Sequence, residues 1–371
     1  MKSVFSWMAI CFFITLSASA TTDISNRSDP GSPWFPHNPA TQLQIRNGYI
    51  DSSSQLMLPR FVYTDDSDHK IISSGLASPV PYLAMAKRLS DKIVIGLDVT
   101  ADYGVSAKFS NVAYGMDSKT LAFGAYLKPY FSFQLTERLA VGAGPIIGIG
   151  KFNWDGPFNS LPLRVRIRSS GGGFGWHLGS TYKLSNKLMI GVNYSSVVPV
   201  KVSGHYLGIL GPIRLRNQVC IKLDLPDRLD LSLGYQPYQD WLLVWQLSHF
   251  GQTPNTSERA DLNLSYFPFI KSLKTNLQDN YSLQFGVSHR INSIWTIGGG
   301  ITYLSRPATK VADTAIPSSG GVCLSGRVKY SWSDNFSLTA IISHGWGKNS
   351  AKKKMVETDI WSLEIGGIYY F

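Results

Sequence analysis

The sequence predicts an all-β protein: a transmembrane antiparallel β-barrel of about 14 strands with a short N-terminal plug segment. First, alternating apolar and polar segments recur to the C-terminus, separated alternately by long and short polar connections. Second, the chain is rich in glycine and aromatic residues, with 34 Gly, 18 Tyr, 18 Phe and 10 Trp among 371 residues. Third, the terminal stretch 360–371 alternates cleanly, with one apolar face that carries Trp361, Leu363, Ile365, Tyr369 and Phe371.

The composition narrows the class of protein further. Only 16% of residues are charged, well below the usual quarter, yet the chain is too polar for a helical membrane protein. The formal charge of +11 comes from scattered basic residues, so we do not expect a nucleic-acid partner. Anionic lipid head groups are the expected partner of this charge. The short run Lys352–Lys354 either contacts lipopolysaccharide phosphates or is simply solvated.

Residues 1–20 have the pattern of a secretory signal peptide. Lys2 precedes a short apolar core, and Ala18-Ser19-Ala20 predicts cleavage after Ala20. The apolar core is too short to span a bilayer as a stable helix. Cys11 leaves with the signal, and we expect Cys220 and Cys323 to fill the interior as unpaired small residues.

Residues 21–41 are polar and proline-rich, and Trp34 and Phe35 are their largest apolar side chains. The segment is either a disordered arm or a short plug in the mouth of a barrel. The barrel itself is predicted over 42–371. Its strands are expected near 43–58, 80–89, 92–104, 119–135, 138–152, 171–184, 187–203, 217–236, 241–250, 280–291, 295–306, 320–332, 336–346 and 359–371.

Short turns are predicted on one side of this barrel, and long loops at 59–79, 105–118, 153–170, 204–216, 251–279, 307–319 and 347–358 on the other. This asymmetry is typical of periplasmic turns and extracellular loops. Trp241, Trp295 and Phe336 each open a strand after a short turn, and Tyr369 and Phe371 close the last one. These aromatics predict an interfacial girdle. A soluble sandwich also alternates but rarely keeps one apolar face over strands this long.

Several motifs resemble the FadL/TodX family of outer membrane transporters for hydrophobic compounds. Asn38-Pro39-Ala40 resembles the end of the family's N-terminal hatch, and the stretch 101–105 resembles its kinked third strand. The remaining similarities are Gly173 to Gly179, Asn193 to Ser196, Leu223 to Pro226, and Pro307 with Ile316-Pro317. Ser195 stands where the family usually has arginine, the segment before Asn38 is short, and so is the loop at 153–170.

The resemblance implies capture of a hydrophobic molecule outside, passage through the lumen and lateral release through the kinked strand. It implies a plug containing Trp34, Phe35, Asn38, Pro39 and Ala40, and a lateral opening at Tyr103 and Gly104. The parity of the strands places charged residues in the lumen: Asp98, Lys128, His177, Lys222, Asp224, Arg290, Arg327, Lys329 and Glu364. The candidates to hold a ligand carboxylate are Lys128, His177, Arg290, Arg327 and Lys329; alternatively, they pair within the lumen.

We expect no enzyme, cofactor or metal, because no local serine, histidine and acid motif is evident and the glycine runs lie inside strands. The favoured function is passive uptake of long-chain fatty acids or other hydrophobic small molecules across a Gram-negative outer membrane. The alternatives are a general diffusion porin with a vestigial plug and a structural or adhesive barrel. Expected partners are outer membrane lipid, lipopolysaccharide and the barrel assembly machinery, which would bind the strand ending at Phe371; the barrel is expected to be a monomer.

Overall fold

The computed structural model describes residues 34–64, 70–75, 78–113, 116–158, 163–210, 212–251, 279–305, 320–351 and 354–371. The predicted signal peptide and the run Lys352-Lys353 lie outside the described residues. Among the described residues, no helix is both long and apolar enough to cross a bilayer.

A 3-10 helix, Pro39–Gln44, precedes one continuous antiparallel sheet. The sheet contains seventeen strand segments in the described part of the chain. They are β1 Gly48–Thr64, β2 Lys70–Gly75, β3 Ser78–Ser90, β4 Ile93–Ala113, β5 Met116–Gln134, β6 Leu139–Phe158, β7 Leu163–Ser185, β8 Leu188–Ser195, β9 Val198–Leu210, β10 Ile213–Leu225, β11 Asp227–Tyr235, β12 Trp241–Gly251, β13 Asn280–Arg290, β14 Trp295–Leu304, β15 Gly321–Ser331, β16 Phe336–Ala351 and β17 Lys354–Tyr370.

The sheet closes on itself, because β1 pairs with β17 from Tyr49↔Tyr370 to Thr64↔Met355. Three barrel strands are each split in two: β2 with β3, β8 with β9, and β10 with β11. The seventeen segments therefore form a barrel of fourteen strands, and the predicted fold class is confirmed.

The faces of the strands are arranged as a membrane barrel requires. Large apolar side chains point outward and are exposed, including Leu363, Ile365 and Phe174, the last at 74%. Their polar neighbours point inward and are buried, including Ser362, Glu364 and Gln284. This inversion of the usual soluble pattern confirms the alternation on which the fold prediction depended.

The short turns and the aromatic girdle occur where they were predicted. Trp241 stacks on His289 with ring centroids 4.2 Å apart, and Trp295 lies against Tyr330 at 4.8 Å. Tyr369 and Phe371 stack on each other at the same end of the barrel. Exposed aromatic side chains at one height suit the lipid–water interface.

Three sequence predictions are corrected. The first strand begins at Gly48 rather than at residue 43, because 39–44 coil into the 3-10 helix. Most of the predicted loops at 105–118, 153–170, 204–216 and 347–358 are continuations of paired strands. Their outward positions carry charged residues, so the loss of apolar alternation marks the end of the lipid-facing band rather than the end of the strand. Cys220 is exposed, whereas Cys323 is buried as expected, and both are free thiols.

Pro226 explains why strand parity fails in this region. Leu225 is 2% exposed, and Asp230 on the following segment is 3% exposed, so both face the lumen. They are five positions apart, an odd number, so the side-chain alternation must switch between them. A proline between two strand segments supplies this irregularity because it cannot donate a ladder hydrogen bond. Lys222 and Asp224, predicted to face the lumen, have side chains outside the described part of the structure.

Candidate functional site

The N-terminal segment 34–47 lies inside the periplasmic half of the barrel. Asn38 caps its 3-10 helix, because Asn38 Oδ1 accepts a hydrogen bond of 3.0 Å from the Ala40 N–H. The Asn38 Nδ2 group donates to the carbonyl oxygens of Ser180 and Val192, each at 3.1 Å. Ser132 Oγ donates to the Pro39 carbonyl at 2.6 Å. The segment is therefore bound to three different strands of the wall, β5, β7 and β8.

Glycines on the lumenal face of the wall make room for this segment. A Cβ atom at Gly179 would lie 2.2 Å from Asn38 Oδ1, and one at Gly142 would lie 2.8 Å from Pro39 Cβ. A Cβ atom at Gly191 would lie 2.6 Å from Phe35 Cδ2, and one at Gly234 would lie 2.5 Å from Trp34 Cε3. Distances this short are incompatible with any larger residue in the present packing. Four strands of the wall, β6, β7, β8 and β11, are thus shaped to the segment.

Trp34 and Phe35 pack in a buried cluster with Met189, Leu242 and Val244. Trp34 is 8% exposed and Phe35 is 1% exposed. Farther along the segment, Arg88 on β3 donates to the carbonyl oxygens of Leu43 and Ile45. These contacts anchor both ends of the described segment.

A tyrosine cluster connects the segment to the opposite side of the lumen. The Tyr49 hydroxyl donates to Gln42 Oε1 at 2.9 Å. Tyr49 and Tyr130 share one buried cluster with Ala40 and Leu43 of the segment. His37 contacts Tyr82 edge-on, with ring centroids 6.0 Å apart. The N-terminal segment therefore contacts β3.

The wall is interrupted between β3 and β4. The two strands pair from Ser90↔Ile93 up to Leu83↔Val99, and pairing with β4 resumes only at β2, from Gly75↔Ala107 upward. Within the described residues, the backbone of 100–106 therefore has no register partner on β2 or β3, over a length of roughly 20 Å at the usual strand rise. We call this interruption the window.

Both borders of the window have a local cause. On β3, Pro79 and Pro81 lack the N–H group with which a strand pairs, so they favour an edge. On β4, the register with β5 shifts between Thr100 and Tyr103, which is a β-bulge. The backbone of Tyr103 and Gly104, predicted as the lateral opening, borders the window; the Tyr103 side chain is outside the described part of the structure.

An apolar patch covers the lumenal wall of β6, β7 and β9. Val198, Val200 and Val202 are all fully buried on β9. A Cβ atom at Gly148 of β6 would lie 2.7 Å from Val198 Cγ1, and one at Gly175 of β7 would lie 2.7 Å from Val198 Cγ2. Because these glycines carry no side chains, the valines of β9 reach across β7 to β6. The other inward apolar residues of this wall include Ile146, Phe152, Trp154, Val165 and Ile167.

Tyr126 joins this apolar wall to the window. It is 5% exposed, and its register partners are Thr100 on β4 and Gly148 on β6. Thr100 is the first β4 residue that has lost its partner on β3. The valine patch, Tyr126 and the lower border of the window thus lie at one height, about 20 Å along β5 above Ser132 and the N-terminal segment.

The remaining wall of the lumen is mostly polar. Asp230 accepts hydrogen bonds from Arg228 Nε at 2.7 Å, from Gln246 Nε2 at 3.2 Å and from Asn193 Nδ2 at 3.2 Å. Ser53 Oγ donates to Glu364 Oε1 at 2.6 Å. These hydrogen bonds link β8, β11 and β12, and β1 with β17, across the lumenal surface.

The five predicted ligand-binding residues fall into two groups. Lys128 and His177 lie on the side of the window: Lys128 is the register partner of Asp98, and His177 packs edge-on against Tyr130 at 6.3 Å. Arg327 and Lys329 lie on the polar wall, where Arg327 Nη2 donates to Ser288 Oγ at 2.9 Å and Lys329 Nζ is 5.8 Å from the Tyr370 ring centroid. Arg290 ends β13 at the periplasmic side. The structure does not bring the five together.

The sequence did not predict the apolar lining, namely Tyr126, Ile146 and the three valines of β9. A signal was present, because Val198, Val200 and Val202 alternate with Pro199, Lys201 and Ser203. On a lipid-facing strand this alternation is expected to place the valines outside. Here the charged and polar residues face outward, so the pattern marks a section of strand that lies beyond the lipid-facing band.

Comparison with known proteins agrees with this architecture. The family model described as outer membrane protein transport protein (OMPP1/FadL/TodX) matches residues 37–362. Outer membrane protein P1 of Haemophilus influenzae is 22% identical over 353 residues, covering 80% of this chain and 75% of the relative.

Solved structures share the fold at low sequence identity. A Pseudomonas aeruginosa FadL homologue superposes with a TM-score of 0.78 at 15% identity, covering 97% of this chain and 99% of the other. The Pseudomonas putida toluene transporter TodX superposes with a TM-score of 0.72 at 15% identity, covering 90% and 92%.

Proposed function

The chain belongs to the OMPP1/FadL/TodX family of outer membrane transport proteins, and we propose that it takes up long-chain fatty acids or other hydrophobic small molecules and releases them sideways through the window. The observation that supports this proposal is that Val198, Tyr126 and Thr100 lie in one row across the wall from β9 to β4. It places a buried apolar surface at the height of an unpaired section of the wall.

The route suits the physical chemistry of the cargo. A molecule that displaces the present neighbours of the valine patch exchanges contact with water for contact with apolar side chains, which stabilises it by about 25 cal/mol per Å² buried. Leaving through the window brings it directly into the apolar bilayer. Passage down the remaining lumen would instead require it to cross the N-terminal segment and the polar wall.

Lys128 is the cation best placed for a carboxylate. It lies two residues from Tyr126 on the same lumenal face of β5, and its ammonium group is 4.8 Å from the Tyr126 ring centroid. Asp98 is its register neighbour and offsets part of its charge. A fatty acid could therefore place its head at Lys128 and its tail on the valine patch, whereas an uncharged aromatic molecule would need only the patch.

The polar lumen wall is the one observation in favour of a diffusion porin. Against a porin stands the N-terminal segment, which is hydrogen-bonded to β5, β7 and β8 and fitted to four glycines. We therefore propose the segment 34–47, including Trp34, Phe35, Asn38, Pro39 and Ala40, as a plug that limits flow to the periplasm.

Stapling the window tests lateral release. In a background lacking Cys220 and Cys323, Tyr82→Cys on β3 and Thr100→Cys on β4 place two thiols across the lower border of the window. A reversible bifunctional thiol reagent should abolish whole-cell uptake of radiolabelled oleate or toluene, and a reducing agent should restore it. Each single-cysteine variant is the matched control and should keep its uptake after the same treatment. Unchanged uptake in the stapled protein would contradict lateral release.

A further inference from the structure

The outer surface of the barrel carries a basic patch on strands β6, β7, β9 and β10. Eight outward positions on four strands are basic: Lys151 on β6, Arg164, Arg166 and Arg168 on β7, Lys201 and His205 on β9, and Arg214 and Arg216 on β10. All are half-buried or exposed. Asp155 is the only carboxylate among the described outward side chains of these strands above the apolar band.

The strand register makes these residues one continuous surface. Arg166 pairs with Asp155 on β6 and with Leu207 on β9, and Leu207 pairs with Arg216 on β10. Arg168 pairs with His205 one row lower. Directly opposite residues in an antiparallel sheet have Cβ atoms about 5 Å apart. The basic side chains are therefore neighbours across four strands rather than scattered charges.

Asp155 organises the upper part of the patch without neutralising it. Its carboxylate accepts from Arg164 Nε at 2.6 Å and Nη2 at 3.1 Å, and from Arg166 Nε at 2.9 Å. These hydrogen bonds raise the pKa of Arg164, a guanidinium that is already charged at neutral pH. One carboxylate thus holds two arginines and leaves an excess of positive charge over the remaining positions.

The lower part of the patch lies immediately above the lipid-facing band. On β6, Lys151 follows Ile149, an outward residue that is 53% exposed. On β9, Lys201 is the register partner of Gly172, two residues from the outward Phe174, which is 74% exposed. Lys151, Arg168 and Lys201 surround the outward position of Ser170 at this boundary. In a membrane barrel, lipid head groups lie at the edge of the outward apolar band.

Strands β16 and β17 differ at their outer ends. His344 Nε2 lies 2.8 Å from Asp359 Oδ1, and Lys348 Nζ lies 3.6 Å from Glu357 Oε1. Each of these bases has one acidic partner, whereas on β6 and β7 one carboxylate, Asp155, is shared by two arginines.

We propose that this basic patch binds the phosphorylated sugar head group of an outer-leaflet glycolipid. Arginine binds phosphate oxygens through paired N–H groups, and lysine adds point charges at the membrane boundary. The inference rests on the outer membrane location of the family and is independent of what the lumen carries.

The test compares lipid binding by the refolded full-length protein in detergent, measured by native mass spectrometry. The probes are diphosphorylated lipid A and the same lipid A with both phosphates removed. The test variant is Lys151→Gln/Arg168→Gln/Lys201→Gln. The control variant, Arg138→Gln/Lys183→Gln/Lys187→Gln, removes three exposed cations at the periplasmic turns.

Each basic residue near an anionic lipid surface contributes about fivefold to affinity, so the test variant should bind diphosphorylated lipid A roughly 100-fold more weakly. The control variant should bind it like the wild type, and dephosphorylated lipid A should bind weakly to all three proteins. Equal binding of the two lipids by the wild type would overturn the proposal, as would equal loss in the two variants. Displacement by millimolar inorganic phosphate would show a free-phosphate site and would also overturn it.

Discussion

Phe35→Ala should open the plug. The Phe35 side chain is 1% exposed and packs between Gly191 and the cluster of Trp34, Leu242 and Val244. Removing a buried phenylalanine side chain typically costs about 3–5 kcal/mol. If about 3 kcal/mol of this stabilises the docked segment, its loss raises the population of the undocked state roughly 100-fold, since 1.4 kcal/mol corresponds to a factor of ten.

The assay is single-channel conductance of the refolded protein in a planar bilayer. The wild type should be closed or barely conducting, and Phe35→Ala should show open events about 100 times as often. Phe174→Ala is the matched control, because it removes the same side chain from the lipid-facing surface and should conduct like the wild type.

A second variant disrupts the same contact by changing its residue on the barrel wall. Gly191→Leu places a side chain where Phe35 now lies, since even a Cβ atom would be 2.6 Å from Phe35 Cδ2. It should also increase open events. If both variants fold, as judged by the heat-dependent gel shift of a barrel, and both conduct like the wild type, the assignment of 34–47 as the plug is refuted.

Other predictions concern the lumen. Asp230→Ala leaves the Arg228 guanidinium without its carboxylate, which should destabilise the barrel by about 3–5 kcal/mol and lower the temperature of its gel shift; Asp230→Asn should lower it less. Lys128→Met should reduce oleate uptake about tenfold and leave toluene uptake unchanged if Lys128 binds the carboxylate; an equal effect on both would assign Lys128 a structural role. Val200→Glu places a charge in the valine patch and should reduce uptake of both compounds at least tenfold, whereas Val200→Leu should retain it.

The sequence was sufficient for the barrel because membrane barrels obey a strict local rule. Each lipid-facing position must be apolar, so Leu363 and Ile365 opposite Ser362 and Glu364 identify the two faces of β17 without further information. The periplasmic turns were equally predictable, because short polar stretches such as Ser333-Asp334 separate strands that both need the same apolar length.

The requirement for apolar outward positions does not apply beyond the lipid-facing band. Above it, Arg164, Arg166 and Arg168 occupy outward positions of a regular strand, and the alternation that identified strands is reversed or absent. The predicted loops were therefore strands, and the valines of β9 faced the lumen. The irregularity at Pro226 adds a second failure, because it breaks the side-chain alternation within the single strand predicted over 217–236.

The site also depends on contacts that a single sequence cannot specify. Gly142, Gly179, Gly191 and Gly234 look alike in sequence, yet each accepts a different part of the N-terminal segment. Pairing of Tyr126 with Thr100 and Gly148 joins three strands whose register is set by the closed sheet. Lys128 and Arg327 have the same predicted parity but lie on opposite walls, because parity fixes the face of a residue and not its position around the barrel.

The measurement that tests the central claim most directly is whole-cell uptake of a hydrophobic and a polar solute. A Gram-negative host without its own channel for hydrophobic compounds would express the full chain and receive radiolabelled oleate, toluene or a small sugar. The account predicts faster uptake of at least one hydrophobic tracer and no change for the sugar. Faster entry of the sugar, with oleate and toluene unchanged, would contradict it and identify the barrel as a diffusion porin.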